Sequence, residues 1–166
     1  MQRVLFICTG NYYRSRFAEI VFNAAAHQRG LPWEATSRGT DIYGAGKDNV
    51  GPISSLARAA LEARGLPIAA DIRLPLPLAE ADLATADLIV AVCEAEHRPH
   101  LQRDFPAVID RVQFWGVQDL GDTPADEALP ALKRHVNALI ERLAGRAATA
   151  DACASSGASE PDHPGS

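Results

Sequence analysis

The first fifteen residues place a strand, a short loop and the start of a helix in direct succession. Residues 4–7 (Val-Leu-Phe-Ile) have the length and composition of a buried strand, and Cys8 follows them. A loop with Gly10 and Asn11 then leads into a helical pattern that begins near Ser15. This order predicts a unit of a parallel α/β sheet, with the loop at the carboxyl end of the strand.

The loop, residues 8–15, has the features of an anion-binding site. Its amides can converge on one point, and the N-terminus of the helix adds positive potential. Arg14, six residues after Cys8, is placed to close the ring around an anion. Such a field favours the Cys8 thiolate, which is a nucleophile. The pattern predicts the chemistry of a cysteine-dependent phosphatase; a strand-end cysteine that only packs is the alternative.

Strands and helices alternate along the rest of the chain. Further strands are predicted at residues 33–39, 87–93 and 109–115, and helices at 52–64, 78–86, 94–103 and 124–143. This predicts a four-stranded parallel sheet with helices on both faces, a flavodoxin-like three-layer α/β/α domain over residues 1–145. Residues 146–166 lack apolar periodicity and are rich in Ala, Ser, Gly, Asp and Pro, so a disordered C-terminal tail is expected there.

Composition limits the classes of function. The net charge is −5 and there is no basic run, so nucleic-acid binding is not expected. No apolar stretch is long enough for a membrane span, and three scattered cysteines suit a reducing compartment; we expect a cytoplasmic protein without membrane association. No Cys/His cluster has zinc spacing, so neither a metal nor another cofactor is expected, and the five histidines are expected at the surface or on helix flanks.

Residues 7–15, Ile-Cys-Thr-Gly-Asn-Tyr-Tyr-Arg-Ser, resemble the active-site loop of the low-molecular-weight protein tyrosine phosphatases. The likeness covers residues 2–143 in the order and spacing of that family, through Phe-Ala-Glu at 17–19, Ser-Arg-Gly-Thr at 37–40, Asp-Leu-Ile-Val at 87–90 and Val-Gln-Asp at 117–119. It implies a phosphomonoester hydrolase that forms a phosphocysteine intermediate. The implied substrate is a phosphorylated protein, with phosphotyrosine leading, or a small aryl phosphate.

The resemblance also implies a role for each catalytic residue. Cys8 would be the nucleophile, and Arg14 would clamp two phosphate oxygens. Ser15 would donate a hydrogen bond to the sulfur. Asp119 would act as general acid and then as general base. Asp122 is its rival for that role, although capping of the final helix explains Asp122 more simply.

Further residues are expected to bind substrate or to support the loop. Asn11 would hold the loop in shape, in a left-handed conformation that asparagine tolerates, with Ser37 hydrogen-bonded to it. Tyr43 matches the position of an aromatic wall beside the substrate ring. The expected substrate-binding residues are Thr9, Gly10, Asn11, Tyr12, Tyr13 and Tyr43.

Three departures from the family's pattern leave phosphotyrosine specificity open. Tyr13 stands where a second loop cysteine is common, and Arg16 where proline is usual. Asp119 is followed by Leu120 and Gly121 rather than by proline and an aromatic residue. One aromatic wall of the usual substrate slot is therefore missing.

Two other functions stay open. An arsenate reductase on the same fold needs further cysteines to relay a disulfide, usually a pair near residues 75–95, where only Cys93 stands. A non-catalytic phosphate-binding adaptor would keep the loop without efficient turnover. Cys93 itself is either a buried packing residue or a disulfide partner for Cys8. The oligomeric state is also open.

Overall fold

A parallel sheet forms the centre of the computed structural model, which describes residues 1–66 and 68–156. The sheet has the order β2-β1-β3-β4, and its strands are β1 (Gln2–Cys8), β2 (Trp33–Gly39), β3 (Leu88–Ala91) and β4 (Val112–Phe114). The α-helices are α1 (Arg14–Gln28), α2 (Ser55–Ala63), α3 (Glu80–Thr85), α4 (Glu94–Asp104) and α5 (Ala125–Ser156), with a 3-10 helix at Pro106–Arg111. The predicted fold class is confirmed.

The register of the sheet brings the carboxyl ends of the strands together. β1 pairs in parallel with β2 on one side, where Cys8 lies opposite Gly39, and with β3 on the other, where Ile7 lies opposite Ala91. β4 pairs in parallel with β3, with Phe114 opposite Ala91. All four strands therefore end at the same edge of the sheet, which is the edge where parallel sheets bind ligands.

Different helices pack on the two faces of the sheet, and successive side chains of a strand point to opposite faces. On β1, Val4, Phe6 and Cys8 belong to the core cluster that includes residues of α1, α2 and α5. Leu5 and Ile7 belong to the second cluster, with residues of α3, α4 and the 3-10 helix. β1 is buried on both sides, as its uninterrupted apolar sequence predicts.

The structure corrects two predicted boundaries. Residues 109–111, predicted as the start of the last strand, lie in the 3-10 helix that Pro106 begins, and β4 starts only at Val112. The predicted disordered tail is wrong for residues 146–156, which continue α5. These residues are largely exposed, so they carry no apolar periodicity, but they are rich in alanine, the best helix former. The rest of the expected tail, residues 157–166, lies outside the described residues. Within those described, no helix combines the length and apolar character that a membrane span requires.

Candidate active site

A cavity of about 190 Å³ lies at the carboxyl end of β1. Its walls come from the loop after β1, the 40–51 loop after β2, the N-cap of α2 and the loop after β4. The lining residues are Cys8, Thr9, Gly10, Tyr12, Tyr13, Arg14, Ala45, Asn49, Ser54, Asp119 and Leu120. The structure thus brings Asp119 to the same cavity as the 8–15 loop, more than a hundred residues away in sequence.

The backbone of the 8–15 loop is held from outside. The carbonyl groups of Cys8, Thr9 and Tyr12 accept hydrogen bonds from backbone amides of the segments that follow β2 and precede α2, at 2.8–3.0 Å. In a trans peptide the N–H points away from the carbonyl. The next amide after each of these carbonyls therefore points away from those segments.

Asn11 fixes the shape of the loop. Its backbone is in the left-handed region, with φ at 49°. Its Nδ2 donates to Ser15 Oγ at 3.0 Å and to Ser37 Oγ at 2.9 Å, while its Oδ1 accepts from Arg73 Nη1 and from the backbone N–H of Leu76, both at 3.0 Å. All the hydrogen-bonding capacity of this fully buried amide is used, which stabilises an otherwise unfavourable backbone conformation.

A partly buried polar network lies behind Asn11. Arg73 Nη2 donates to the backbone carbonyl of Ser37 at 2.8 Å and to Glu19 at 3.2 Å, and Arg16 donates to the Arg73 carbonyl at 2.7 Å. Burial, together with the charges of Arg16 and Arg38, lowers the pKa of Arg73 to about 10, against the opposing effect of Glu19. Sequence analysis gave Arg73 and Glu19 no role; Glu19 lay within the family resemblance, which was the signal available.

Ser15 is placed to stabilise a thiolate. Its Oγ lies 2.8 Å from Cys8 Sγ. Because Ser15 Oγ already accepts a hydrogen bond from Asn11, its own proton is free to point at the sulfur. Cys8 is only 2% exposed, and its thiol lines the cavity.

Arg14 is almost completely buried, at 1% exposure, and three groups contact its guanidinium. Nη1 and Nη2 donate to the two carboxylate oxygens of Glu96 at 2.8 and 2.7 Å, and Nη1 also donates to the carbonyl of Val117 at 2.9 Å. Nη2 lies 3.5 Å from Asp119 Oδ2. Burial opposes the charge, but the hydrogen bond to Glu96 and the nearby Cys8 and Asp119 raise the pKa of Arg14. Nε is buried and has no hydrogen-bond partner among the described residues.

Glu96 and His97 are site residues that sequence analysis missed. Both lie in the first turns of α4, just beyond β3. The histidines were expected at the surface or on helix flanks, but His97 is fully buried. Burial lowers the pKa of His97, so its imidazole is neutral near pH 7. The available signal was the topology: the segment after β3 must lie beside the end of β1, where Cys8 is.

Asp119 lies at the mouth of the cavity, and its side chain is 51% exposed. One carboxylate oxygen is the atom near Arg14, and the other accepts from the Leu120 amide at 3.0 Å. Asp122, the rival acid, is exposed and is not among the residues that line the cavity. The geometry favours Asp119 as the carboxyl group that can reach a bound substrate.

The three tyrosines occupy different positions. Tyr12 lines the cavity, and its hydroxyl donates to the Val50 carbonyl at 2.8 Å, which ties the loop to the 40–51 loop. Tyr13 also lines the cavity, and its hydroxyl is buried without a hydrogen-bond partner in the part of the chain that the structure describes. Tyr43 does not line it: this residue is 79% exposed and borders a neighbouring groove. Tyr12 and Tyr13, rather than Tyr43, are therefore the tyrosines that line the cavity.

Cys93 is not among the residues that line the cavity. Cys93 is buried and free, and its backbone N–H donates to His97 Nδ1 at 3.1 Å. Over residues 1–66 and 68–156, His, Cys, Asp and Glu side chains form no group of three or more that could hold a metal ion.

Comparisons with known proteins agree with this geometry. The sequence profile of a family described as low molecular weight phosphotyrosine protein phosphatase matches residues 3–144. Among solved structures, a low molecular weight protein tyrosine phosphatase from T. tengcongensis is 30% identical, with a TM-score of 0.69, over 88% of this chain and 99% of that one. The corresponding values are 20%, 0.72, 86% and 93% for a low molecular weight protein tyrosine phosphatase from Streptococcus pyogenes. For YwlE arginine phosphatase from Geobacillus stearothermophilus they are 22%, 0.67, 98% and 100%. No match was found among curated proteins.

The burial of the Tyr13 phenol leads to a testable prediction about its titration. Burial, and then the Asp119 carboxylate, raise the pKa of Tyr13 from 10.0 to about 12, with Arg14 opposing. An unfolded chain loses this proton first, so the Tyr13 contribution to the free energy of unfolding is complete below pH 10 and is lost as the pH rises toward 12. Phenolate absorbance should show a step near pH 12 in the folded wild type that Tyr13→Phe lacks and the exposed-site control Tyr43→Phe keeps. A step that survives in Tyr13→Phe would contradict this assignment.

Proposed function

The chain belongs to the low molecular weight phosphotyrosine protein phosphatase family, and on that premise we propose that it hydrolyses phosphomonoesters through a phosphocysteine on Cys8. The protein is a phosphatase of this class; the intermediate, the roles of single residues and the substrate are the proposal. It is supported by the cavity, which holds a nucleophile, a cationic fork and a carboxyl group.

In the first step the Cys8 sulfur attacks phosphorus. The bond between phosphorus and the leaving-group oxygen breaks, and that oxygen takes a proton from Asp119, which must enter the step protonated. The Nε edge of Arg14 and the loop amides bind the equatorial oxygens, over which the negative charge spreads in the transition state. The products of this step are the alcohol or phenol and phosphocysteine.

In the second step water attacks the phosphocysteine. Asp119, now ionised, takes a proton from the water as the oxygen–phosphorus bond forms and the sulfur–phosphorus bond breaks. The sulfur leaves as a thiolate, and the Ser15 hydroxyl at 2.8 Å donates a hydrogen bond to it. Inorganic phosphate is released, and both Cys8 and Asp119 return to their starting states.

The observation that carries this proposal is the Nε of Arg14, which has no partner among the described residues. A buried N–H without an acceptor is costly, and Arg14, which lines the same cavity as Cys8, has such a group at Nε. A guanidinium binds phosphate through two parallel N–H groups, and the Nε edge provides such a pair. A phosphoryl group satisfies this edge while its phosphorus lies in front of the sulfur.

Phosphotyrosine in a protein is the leading substrate, ahead of a small aryl phosphate. Tyr12 and Leu120 provide walls that suit an aromatic ring, and the 30% identical solved relative is named a tyrosine phosphatase. A structure named an arginine phosphatase also shares the fold, at 22% identity. Phosphoarginine is therefore the competing substrate to assay beside phosphotyrosine. Because a reactive thiolate needs a reducing compartment, the proposed location is the cytoplasm.

Hydrolysis of an aryl phosphate at mildly acidic pH tests the nucleophile. Wild type should turn over, and Cys8→Ser should lose on the order of 10³-fold or more in kcat, because the covalent route requires the thiolate. Cys153→Ser, at the exposed end of α5, is the control and should match wild type. A folded wild type without activity would overturn the phosphatase proposal; phosphate binding without turnover would then favour the adaptor function.

Substrates with different leaving groups test whether Asp119 is the general acid. Asp119→Asn should lower kcat for an alkyl or unactivated aryl phosphate by about 10²- to 10⁴-fold, the usual contribution of a general acid, and much less for an activated aryl phosphate. Asp122→Asn is the matched control in the same loop, and should leave both rates near those of wild type. Equal losses for both substrates in Asp119→Asn, or the selective loss in Asp122→Asn, would remove Asp119 from this role.

A further inference from the structure

Glu96 occupies a special position relative to the phosphate-binding arginine. It lies in the first turns of α4 and receives both terminal nitrogens of the Arg14 guanidinium, at 2.7 and 2.8 Å. We propose that Glu96 is a positioning residue of the phosphatase, which anchors the far end of Arg14 so that the Nε edge stays aimed at the phosphoryl group. This inference rests on the proposed function and names a residue whose role neither the loop motif nor the family match assigns.

The geometry of the guanidinium allows two anionic groups to bind it at once. Its five N–H groups form two edges that can each hold a pair of oxygens: an end edge, between Nη1 and Nη2, and a side edge, between Nη2 and Nε. Glu96 occupies the end edge with one oxygen on each nitrogen, and the Val117 carbonyl takes a further Nη1 proton at 2.9 Å. The side edge keeps the unpartnered Nε. Glu96 and a phosphoryl group can therefore bind Arg14 at the same time.

Glu96 is itself held in place. The Thr9 hydroxyl donates to Glu96 Oε1, and His97 Nε2 lies 3.5 Å from the same oxygen and 3.2 Å from Thr9 Oγ1. His97 Nδ1 accepts the Cys93 N–H at 3.1 Å, so the proton of the neutral imidazole is on Nε2 and points toward Thr9 and Glu96. The carboxylate cannot swing into the cavity without losing all these partners.

The charge state of Glu96 fits an anchor. Burial alone would raise the pKa of Glu96, but hydrogen bonds from His97, Arg14 and Thr9 lower it well below its usual range. The carboxylate is therefore ionised throughout the pH range in which the enzyme would work. A charge-assisted pair of this geometry is stronger and more directional than neutral hydrogen bonds.

A Glu96 that competed with phosphate for Arg14 would give the opposite experimental result from a Glu96 that anchors Arg14. If the Glu96 carboxylate competed with phosphate for Arg14, its neutralisation would tighten phosphate binding and raise kcat/KM. If Glu96 anchors Arg14, neutralisation weakens phosphate binding and lowers kcat/KM. In Glu96→Gln the amide nitrogen would face an arginine N–H, donor against donor, so the paired contact cannot form.

Glu96→Gln and the matched control Glu94→Gln test the proposal. Glu94 lies in the same helical turn, is exposed, and pairs with Arg98 at 2.8 Å, away from the cavity. Binding of inorganic phosphate by calorimetry, and kcat and KM for activated and unactivated aryl phosphates, would be measured for each. Glu96→Gln should lose about 10- to 100-fold in kcat/KM, the scale seen when residues that orient a metal ligand are removed. Glu94→Gln should stay within about twofold of wild type, as a surface pair contributes little.

Two features separate positioning from a merely structural role. Arg14 contacts phosphoryl oxygens and not the leaving group, so the loss in Glu96→Gln should be equal for both aryl phosphates, unlike the loss in Asp119→Asn. Glu96→Asp, which keeps the charge on a shorter side chain, should recover part of the phosphate affinity. If Glu96→Gln does not fold, Glu96→Asp tests the proposal alone. A phosphate affinity below that of wild type supports the positioning role of Glu96, and an affinity equal to that of wild type overturns it.

The outcomes distinguish this inference from the proposed function. Tighter phosphate binding in Glu96→Gln, or values equal to those of Glu94→Gln, would overturn the positioning role while wild-type turnover keeps the phosphatase proposal intact. An inactive wild type would sink the phosphatase proposal, but a weaker phosphate affinity in Glu96→Gln than in wild type would still show that Glu96 positions Arg14.

Discussion

The burial of one positive charge organises the functional end of this molecule. A guanidinium removed from water is costly unless charged and polar partners surround it. Arg14, at 1% exposure, meets this requirement with Glu96 from α4, the Val117 carbonyl from the segment after β4, and Asp119 nearby. The residue thereby ties the loop after β1 to elements that follow β3 and β4. Among the described residues only Nε is left without a partner, and the edge that it forms with Nη2 is where a phosphoryl group would bind.

The shape of the loop depends on a second polar centre. Asn11 holds its left-handed backbone through four hydrogen bonds that reach Ser15, Ser37, Arg73 and the Leu76 amide. This arrangement also directs the Ser15 proton toward Cys8 Sγ. Asn11 thus links the conformation of the loop to the hydrogen bond between Ser15 and the Cys8 sulfur. Arg73 contributes to this link indirectly, through its hydrogen bond to Asn11.

The features that could be predicted from the sequence are those encoded in short continuous segments or in the alternation of strands and helices. The apolar runs that became β1 and β3, the helical pattern between them and the loop motif are each continuous in sequence, so the fold class followed from them. The extension of α5 through residues 146–156 was missed because an exposed helix has no apolar face to show. Tyr43 is exposed and does not line the cavity, because a resemblance in position does not determine where a loop side chain points.

The missed site residues share one physical cause. Glu96, His97 and Arg73 belong to no local motif, and they reach the loop only through packing of α4 and of the segment before α3. Parallel pairing of β3 with β1 was predictable, and it places residues just after β3 near Cys8. Polar residues in the first turns after neighbouring strands were therefore candidates that the motif alone did not supply.

The central claim is that the phosphoryl group passes through the Cys8 sulfur, and trapping that species tests it most directly. Wild type would be mixed with an aryl phosphate, quenched in acid during turnover, digested, and its peptides weighed by mass spectrometry. The account predicts one added phosphoryl group on the peptide that contains Cys8, chemically labile as a phosphothioester and absent from Cys8→Ser. Steady turnover with no such adduct on Cys8 at any quench time, or an adduct on another residue, would contradict it.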